Sequence, residues 1–142
     1  MLLDALLLVL FGSALSSVIN FFLSSQGQIS AVGTVVSSGY GFICGAYMPI
    51  SNFSAGLQKA LSFLPGTYGT SLLRNHALAG VFREMERLGL PAGLLKGVRD
   101  SIDCNLYFFS SPVSESGMYA IMLAGIAVLL GVYVALNALK RR

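Results

Sequence analysis

Charge is scarce in this chain. Only 11% of its 142 residues are Asp, Glu, Lys or Arg, whereas soluble domains carry about a quarter. The net charge is +3, and no basic run is long enough, or interleaved with enough aromatic residues, to make a nucleic-acid surface. Nucleic acid is therefore excluded as a partner. The two cysteines, Cys44 and Cys104, stand singly and form neither a CxxC motif nor a disulfide framework. Two free thiols are the expectation, the alternative being one bridge between a span and a loop. There is a single histidine, His76, without the second histidine or cysteine of a typical zinc site. Nor does the sequence around it suggest the base of a hydrolase triad. It reads as a helix-surface residue, and no residue is given a catalytic role. No Gly-Lys pair occurs, so the phosphate-cradling GxxxxGK[ST] loop is absent and the chain is not expected to be an ATPase.

What the chain has is apolar sequence: 55% hydrophobic residues and a mean hydropathy of +0.75. Three segments read as membrane spans. The first, 2–23, is "LLDALLLVLFGSALSSVINFFL", about the 20 residues that cross a hydrocarbon core of about 30 Å. Asp4 lies near its end and reads as interfacial, where a charge costs less than at mid-span. A cleaved signal peptide would want a basic start and a shorter apolar core; here the first charge is Asp4.

The second span, 29–48, is "ISAVGTVVSSGYGFICGAYM", following the polar link Ser24 to Gln28. Gly33, Ser37, Gly41 and Gly45 recur every four residues, a spacing that lines one helix face with small side chains and lets backbones approach closely. The plainer reading is that glycine is common in membrane helices. The third span, 118–139, is "MYAIMLAGIAVLLGVYVALNAL" and ends at Lys140-Arg141-Arg142. Those charges put the carboxyl end in the cytoplasm. The segment 49–117 pulls the other way with Lys59, Arg74, Arg83, Arg87, Lys96 and Arg99, although its acidic residues nearly balance them.

Within 49–117 three amphipathic helices are expected. Ser51 or Asn52 caps the first, near Phe53, with Leu57, Leu61 and Leu64 on one face and a stop at Pro65-Gly66. Thr67 caps the second, which runs to Gly89 and Pro91. Leu94, Val98, Ile102 and Leu106 mark the third. The first helix begins at the membrane exit and is too short to span. It reads either as part of a solvated cap or as a re-entrant element, the usual alternative for a short apolar stretch beside a span.

The glycine-rich span with its proline exit, "GYGFICGAYMPISNF", then "GLQKALSFLPGTYGTSLLRNHAL" and a last span with a basic tail, resembles the membrane-spanning subunits of ABC exporters of the second type. Those subunits have six spans, and the resemblance covers nearly the whole chain. It implies an all-α, polytopic membrane protein: residues 1–142 would supply spans four to six, with an external, partly re-entrant helical hairpin before the last. The first three spans and the cytoplasmic coupling helix would be missing from this chain. It further implies a multi-pass protein of the cell membrane with a cytoplasmic carboxyl terminus. Transport would proceed by alternating access, powered by a separate ATP-binding subunit that holds ATP and Mg; no cofactor is expected in this chain. The second permease subunit, identical or different, and membrane lipid are the other partners. The substrate is expected to be a drug or a lipid-linked or peptide-like compound. By resemblance, Ser37, Ser38, Tyr40, Gly41 and Cys44 line the pathway, while the plainer reading has Ser37 and Gly41 only packing against a neighbour. Pro49, Phe53, Leu57, Leu61, Leu64 and Pro65 form the outer gate. A different class stays open: a small accessory or structural membrane protein that binds partner helices through the Gly33 to Gly45 face and transports nothing.

Overall fold

The computed structural model describes residues 1–108 and 111–140. Over these described residues the protein is mostly helical, 77%, with six α-helices. These are α1 (Leu2–Asn20), α2 (Gln26–Ile43), α3 (Ala55–Leu61), α4 (Pro65–Arg87), α5 (Ala92–Ser101) and α6 (Glu115–Lys140). A short 3-10 turn, Ile50–Asn52, precedes α3. Before α6, β1 (Tyr107–Phe108) pairs antiparallel with β2 (Ser111–Pro112), a contact that nothing in the sequence led us to expect.

Two helices, α1 and α6, are long and apolar enough to cross a membrane. Both correspond to expected spans, with α1 stopping at Asn20 rather than Leu23 and α6 starting three residues early, at Glu115. Arg141 and Arg142 of the basic tail lie outside the described residues. The expected second span is shorter and shifted. Ser25 and Gln28 close a reciprocal capping box at the start of α2, so most of the supposed link is helix. At the other end Gly45 adopts φ +79°, and the amides of Gly45 and Ala46 bond back to Phe42 and Gly41. This Schellman termination stops the helix before Met48 and takes Gly45 off its face.

The middle segment also departs from expectation. Ser51 and Asn52 belong to the 3-10 turn, and α3 begins only at Ala55. Pro65 does not stop a helix; it occupies the first turn of α4, where its missing N–H costs nothing and its fixed φ suits the helix. Thr67 lies inside α4, and its hydroxyl donates to the Leu61 carbonyl at 3.0 Å. Gly89 ends α4 as expected, at φ +72°. In α5 the buried residue is Leu95 while Leu94 is exposed, and Ile102 and Leu106 fall beyond the helix. Val98 and Ile102 are nevertheless half-buried against Phe82, Leu95 and Cys104, so two of the four spaced residues pack as expected.

The core is built on α4, which lies between α1 and α6. Contacts between α1 and α6 advance together: Asp4 meets Tyr119, Phe11 lies beside Gly125, and the Lys140 ammonium stands 5.2 Å from the Phe21 ring. The two helices are therefore parallel. α4 runs against both, with Pro65 and Phe11 both at Gly125, Gly69 between Leu8 and Met122, and His76 beside Asp4 and Glu115. Leu7, Phe11, Tyr68, Leu72, Met118, Met122 and Ile126 fill the space. A second, smaller cluster, Phe82, Leu95 and Cys104, joins α4 to α5; burying Phe82 and Leu95 contributes roughly 1.5–3 kcal/mol each. The Arg99 guanidinium covers the Phe82 ring at 4.5 Å.

Close approach of α4 to α6 needs glycine at 125. A methyl there would lie 2.7 Å from Cγ of Pro65 and 3.4 Å from the Phe11 ring, whereas a methyl at Gly131 would meet nothing within 4 Å. The proline ring cannot turn aside. Gly125→Ala is expected to destabilise the protein by about 1–3 kcal/mol, and Gly131→Ala to be neutral or to stabilise by up to about 1 kcal/mol. Reversible unfolding in mixed detergent micelles measures both; equal effects would mean that α4 and α6 do not meet there.

Candidate functional site

Two places gather polar side chains among apolar helices. The first is the end of the α1–α4–α6 bundle. Asp4 is 1% exposed. One of its oxygens accepts from the Tyr119 hydroxyl at 2.5 Å, and the other lies 2.9 Å from both the Met1 amine and Nδ1 of His76. Nε2 of His76 is 3.2 Å from Oε1 of Glu115. Thus α1, α4 and α6 each place an ionisable side chain in one chain of contacts. The charge of this buried carboxylate is offset by the hydrogen bond on one oxygen and by the amine and imidazole near the other, which itself accepts no hydrogen bond among the described residues. Asp4 was expected near the end of its span and His76 on a helix surface; Asp4 does lie in the first turn of α1, but buried, and the partly exposed His76 stands beside it. The hints in the sequence were a lone acid in an apolar run and a lone histidine, but nothing linked them.

Beside this cluster opens a cleft of about 440 Å³, lined by residues that include His76, Arg83, Glu86, Arg99 and Glu115 over an apolar floor of Phe82, Val113 and Met118. Water reaches Glu115, whose side chain is 63% exposed.

A clasp on the other side of α4 holds two loops. Arg74 donates to the carbonyls of Gly45 and Ile102, both at 2.6 Å, and stands 3.8 Å from Asp103. Asp103, at φ +55°, accepts from the amides of Ile50 and Ser51. Aspartate tolerates that left-handed conformation better than most residues. Thr70 donates to Cys44, Ser71 to Asp103 and Asn75 to Cys104. These bonds fix where the chain leaves α2 and where it leaves α5, so they act as structural supports.

The second polar place is a groove of about 290 Å³ between α1 and α2. Gly33, Ser37, Tyr40 and Gly41 line it opposite Gly12, Ser16 and Asn20. Four of the residues expected to pack or to line a pathway are therefore brought together. Ser38 faces a separate shallow depression with Ile29, Ser30 and Thr34. Cys44 is buried beneath Gly66, where an added methyl would meet its sulfur at 2.8 Å. Among the described residues the small-residue face seats no other helix at Gly33 or Gly41: a methyl at Gly33 would meet nothing within 4 Å, and at Gly41 it would meet only the Tyr47 ring. Of the expected gate residues, Leu61 is buried, Pro49, Phe53, Leu64 and Pro65 are half-buried, and Leu57 is exposed. Pro65 is the member that packs against α6, at Gly125.

Both cysteines are free and buried, and burial pushes the Cys104 thiol up from its ordinary value. Since the thiolate is the reactive form, bulky thiol reagents should leave Cys44 and Cys104 unmodified in the folded protein. Arg74→Met strips two carbonyls of a charged donor, which should cost roughly 2–3 kcal/mol and speed labelling of Cys104. Mass spectrometry after timed labelling checks both; fast labelling of the unaltered protein would contradict the packing described. No family model matches the chain, and no curated protein or solved structure matches it either, so its function has to be read from its own geometry.

Proposed function

We propose that this chain is a transmembrane component of an ATP-driven ABC exporter, with the α3–α4 hairpin as an outer gate. The observation that carries this reading is the depth of the hairpin. Pro65 meets α6 at Gly125, ten residues from its start, and Phe11 of α1, nine residues from its start, packs at the same glycine. At about 1.5 Å per residue these are depths of about 15 and 14 Å, half of a hydrocarbon core of about 30 Å. If α1 and α6 span, the start of α4 at Pro65 and the turn 62–64 before it sit near mid-membrane, where non-helical backbone must be buried by protein or reached by water.

Topology supports the same reading. Two parallel spans require the chain to return between them, and α2, with 18 residues or about 27 Å, is the element placed to do so. Its modest hydropathy fits a helix that faces other helices or a water-filled route rather than lipid alone. On this reading α2 is the third span, the carboxyl end of α6 is cytoplasmic in the cell membrane, and α5 with the outer half of α4 lies outside. The groove with Ser37, Tyr40 and Gly41 faces the export route of a drug, lipid-linked or peptide-like substrate. A second permease subunit completes that route. A separate subunit binds ATP and Mg.

The open groove between α1 and α2 equally suits an accessory protein that only receives a partner helix. Co-expression with a candidate ATP-binding subunit separates the two: the exporter reading expects co-purification and ATP turnover that depends on this chain. Purification without such a subunit favours the accessory role. For the gate, single cysteines at Leu57 and Phe63, both exposed in the chain, should label at least about tenfold more slowly with a membrane-impermeant reagent than cysteines at Lys96 and Asp100. Lipid would cover the first pair. Equal labelling would make α3 part of an ordinary water-exposed cap.

A further inference from the structure

We propose that His76 is a protonation-controlled latch: with its ring charged, it ties the first turn of α6 to α4 and α1, and it releases Glu115 when Nε2 loses its proton. The inference stands on the geometry of the cluster, whether or not the chain takes part in export.

Proton counting gives the two states. Nδ1 faces the Leu72 carbonyl at 3.0 Å as well as Asp4 at 2.9 Å. Neither a carbonyl nor an ionised carboxylate can donate, and the Asp4 carboxylate accepts from the Tyr119 hydroxyl and lies 2.9 Å from the Met1 amine. Nδ1 therefore carries a hydrogen in either charge state. The variable proton is on Nε2, opposite Glu115. When present, it makes His76 a cation with a carboxylate on each side, Asp4 buried at 2.9 Å and Glu115 exposed at 3.2 Å, while Nδ1–H donates to the Leu72 carbonyl. When absent, a nitrogen lone pair faces the Glu115 carboxylate and the contact turns repulsive.

Histidine changes charge between about pH 5 and 8, and the cleft lined by His76 and Glu115 lets protons in from water. The groups facing the ring are Asp4 and the Met1 amine from α1, and Glu115 and Tyr119 from α6. Arg83 and Glu86 of α4 and Arg99 of α5 share the cleft. The sign is fixed: the latch is closed on the acid side and opens as pH rises.

His76 is the only histidine, so the full chain labelled with ¹⁵N-histidine in lipid nanodiscs gives a single set of ring signals. At pH 8 the neutral ring should carry its hydrogen on Nδ1, the tautomer less favoured by a free histidine side chain in water. Hydrogen exchange of the amides of 119–122, corrected for intrinsic rates, should be several-fold slower at pH 5.5 than at pH 8; one linked proton allows at most about tenfold per pH unit. Glu115→Gln should flatten this pH dependence and leave the tautomer unchanged. An Nε2–H tautomer, a flat exchange profile in the unaltered protein, or an undiminished slope in Glu115→Gln would overturn the latch. The tautomer is read on the unaltered protein, so the result survives a variant that fails to fold.

Discussion

The contact of Pro65 with Gly125 sets the distance between α4 and α6, and most of the remaining structure follows from that distance. A rigid ring against a bare backbone brings the helix axes close enough for Leu72 and Met122 to bury one another completely. Along the same helix, Gly66 admits Tyr40 and Cys44 of the α2 end, and Gly69 admits Leu8 and Met122. Interior packing loses its attraction steeply when surfaces separate. A small widening at Pro65 would therefore be felt along the whole of α4.

With α4 fixed by its neighbours, its other side can organise loops. Thr70, Ser71, Arg74 and Asn75 fall within one and a half turns, and their donors collect carbonyls from Cys44, Gly45, Ile102, Asp103 and Cys104. Loop carbonyls buried among helices would otherwise lack partners, at a cost of about 1–3 kcal/mol each. The stretch "TYGTSLLRN" thus serves two surfaces: Tyr68 and Leu72 enter the helical core, and the polar residues between them hold the loops.

Much of this architecture was legible in the sequence, and the misreadings have physical causes. Long apolar runs announced α1 and α6, and Gly89 followed by Pro91 announced the end of α4, because those signals are local. Pro65 was ambiguous: proline both terminates a helix and opens one, and only the burial of its ring against α6 decides between them. Gly45 fitted a spacing of four, yet its positive φ belongs to a helix end. The α1–α2 groove gathers residues that sequence spacing had already grouped. The Asp4–His76–Glu115–Tyr119 cluster was not legible, because its members come from three helices far apart in the chain and meet only once the helices adopt their register.

That register has an electrostatic consequence. Because α1 and α6 are parallel, their amino-terminal ends lie side by side, and each end carries roughly half a positive charge from aligned peptide dipoles. Two like poles would repel, the more so away from bulk water. Asp4 and Glu115 each occupy the first turn of their own helix, where a negative charge offsets the pole. The same two carboxylates that flank His76 therefore allow two helices to point the same way at close range, an arrangement whose field would otherwise oppose it.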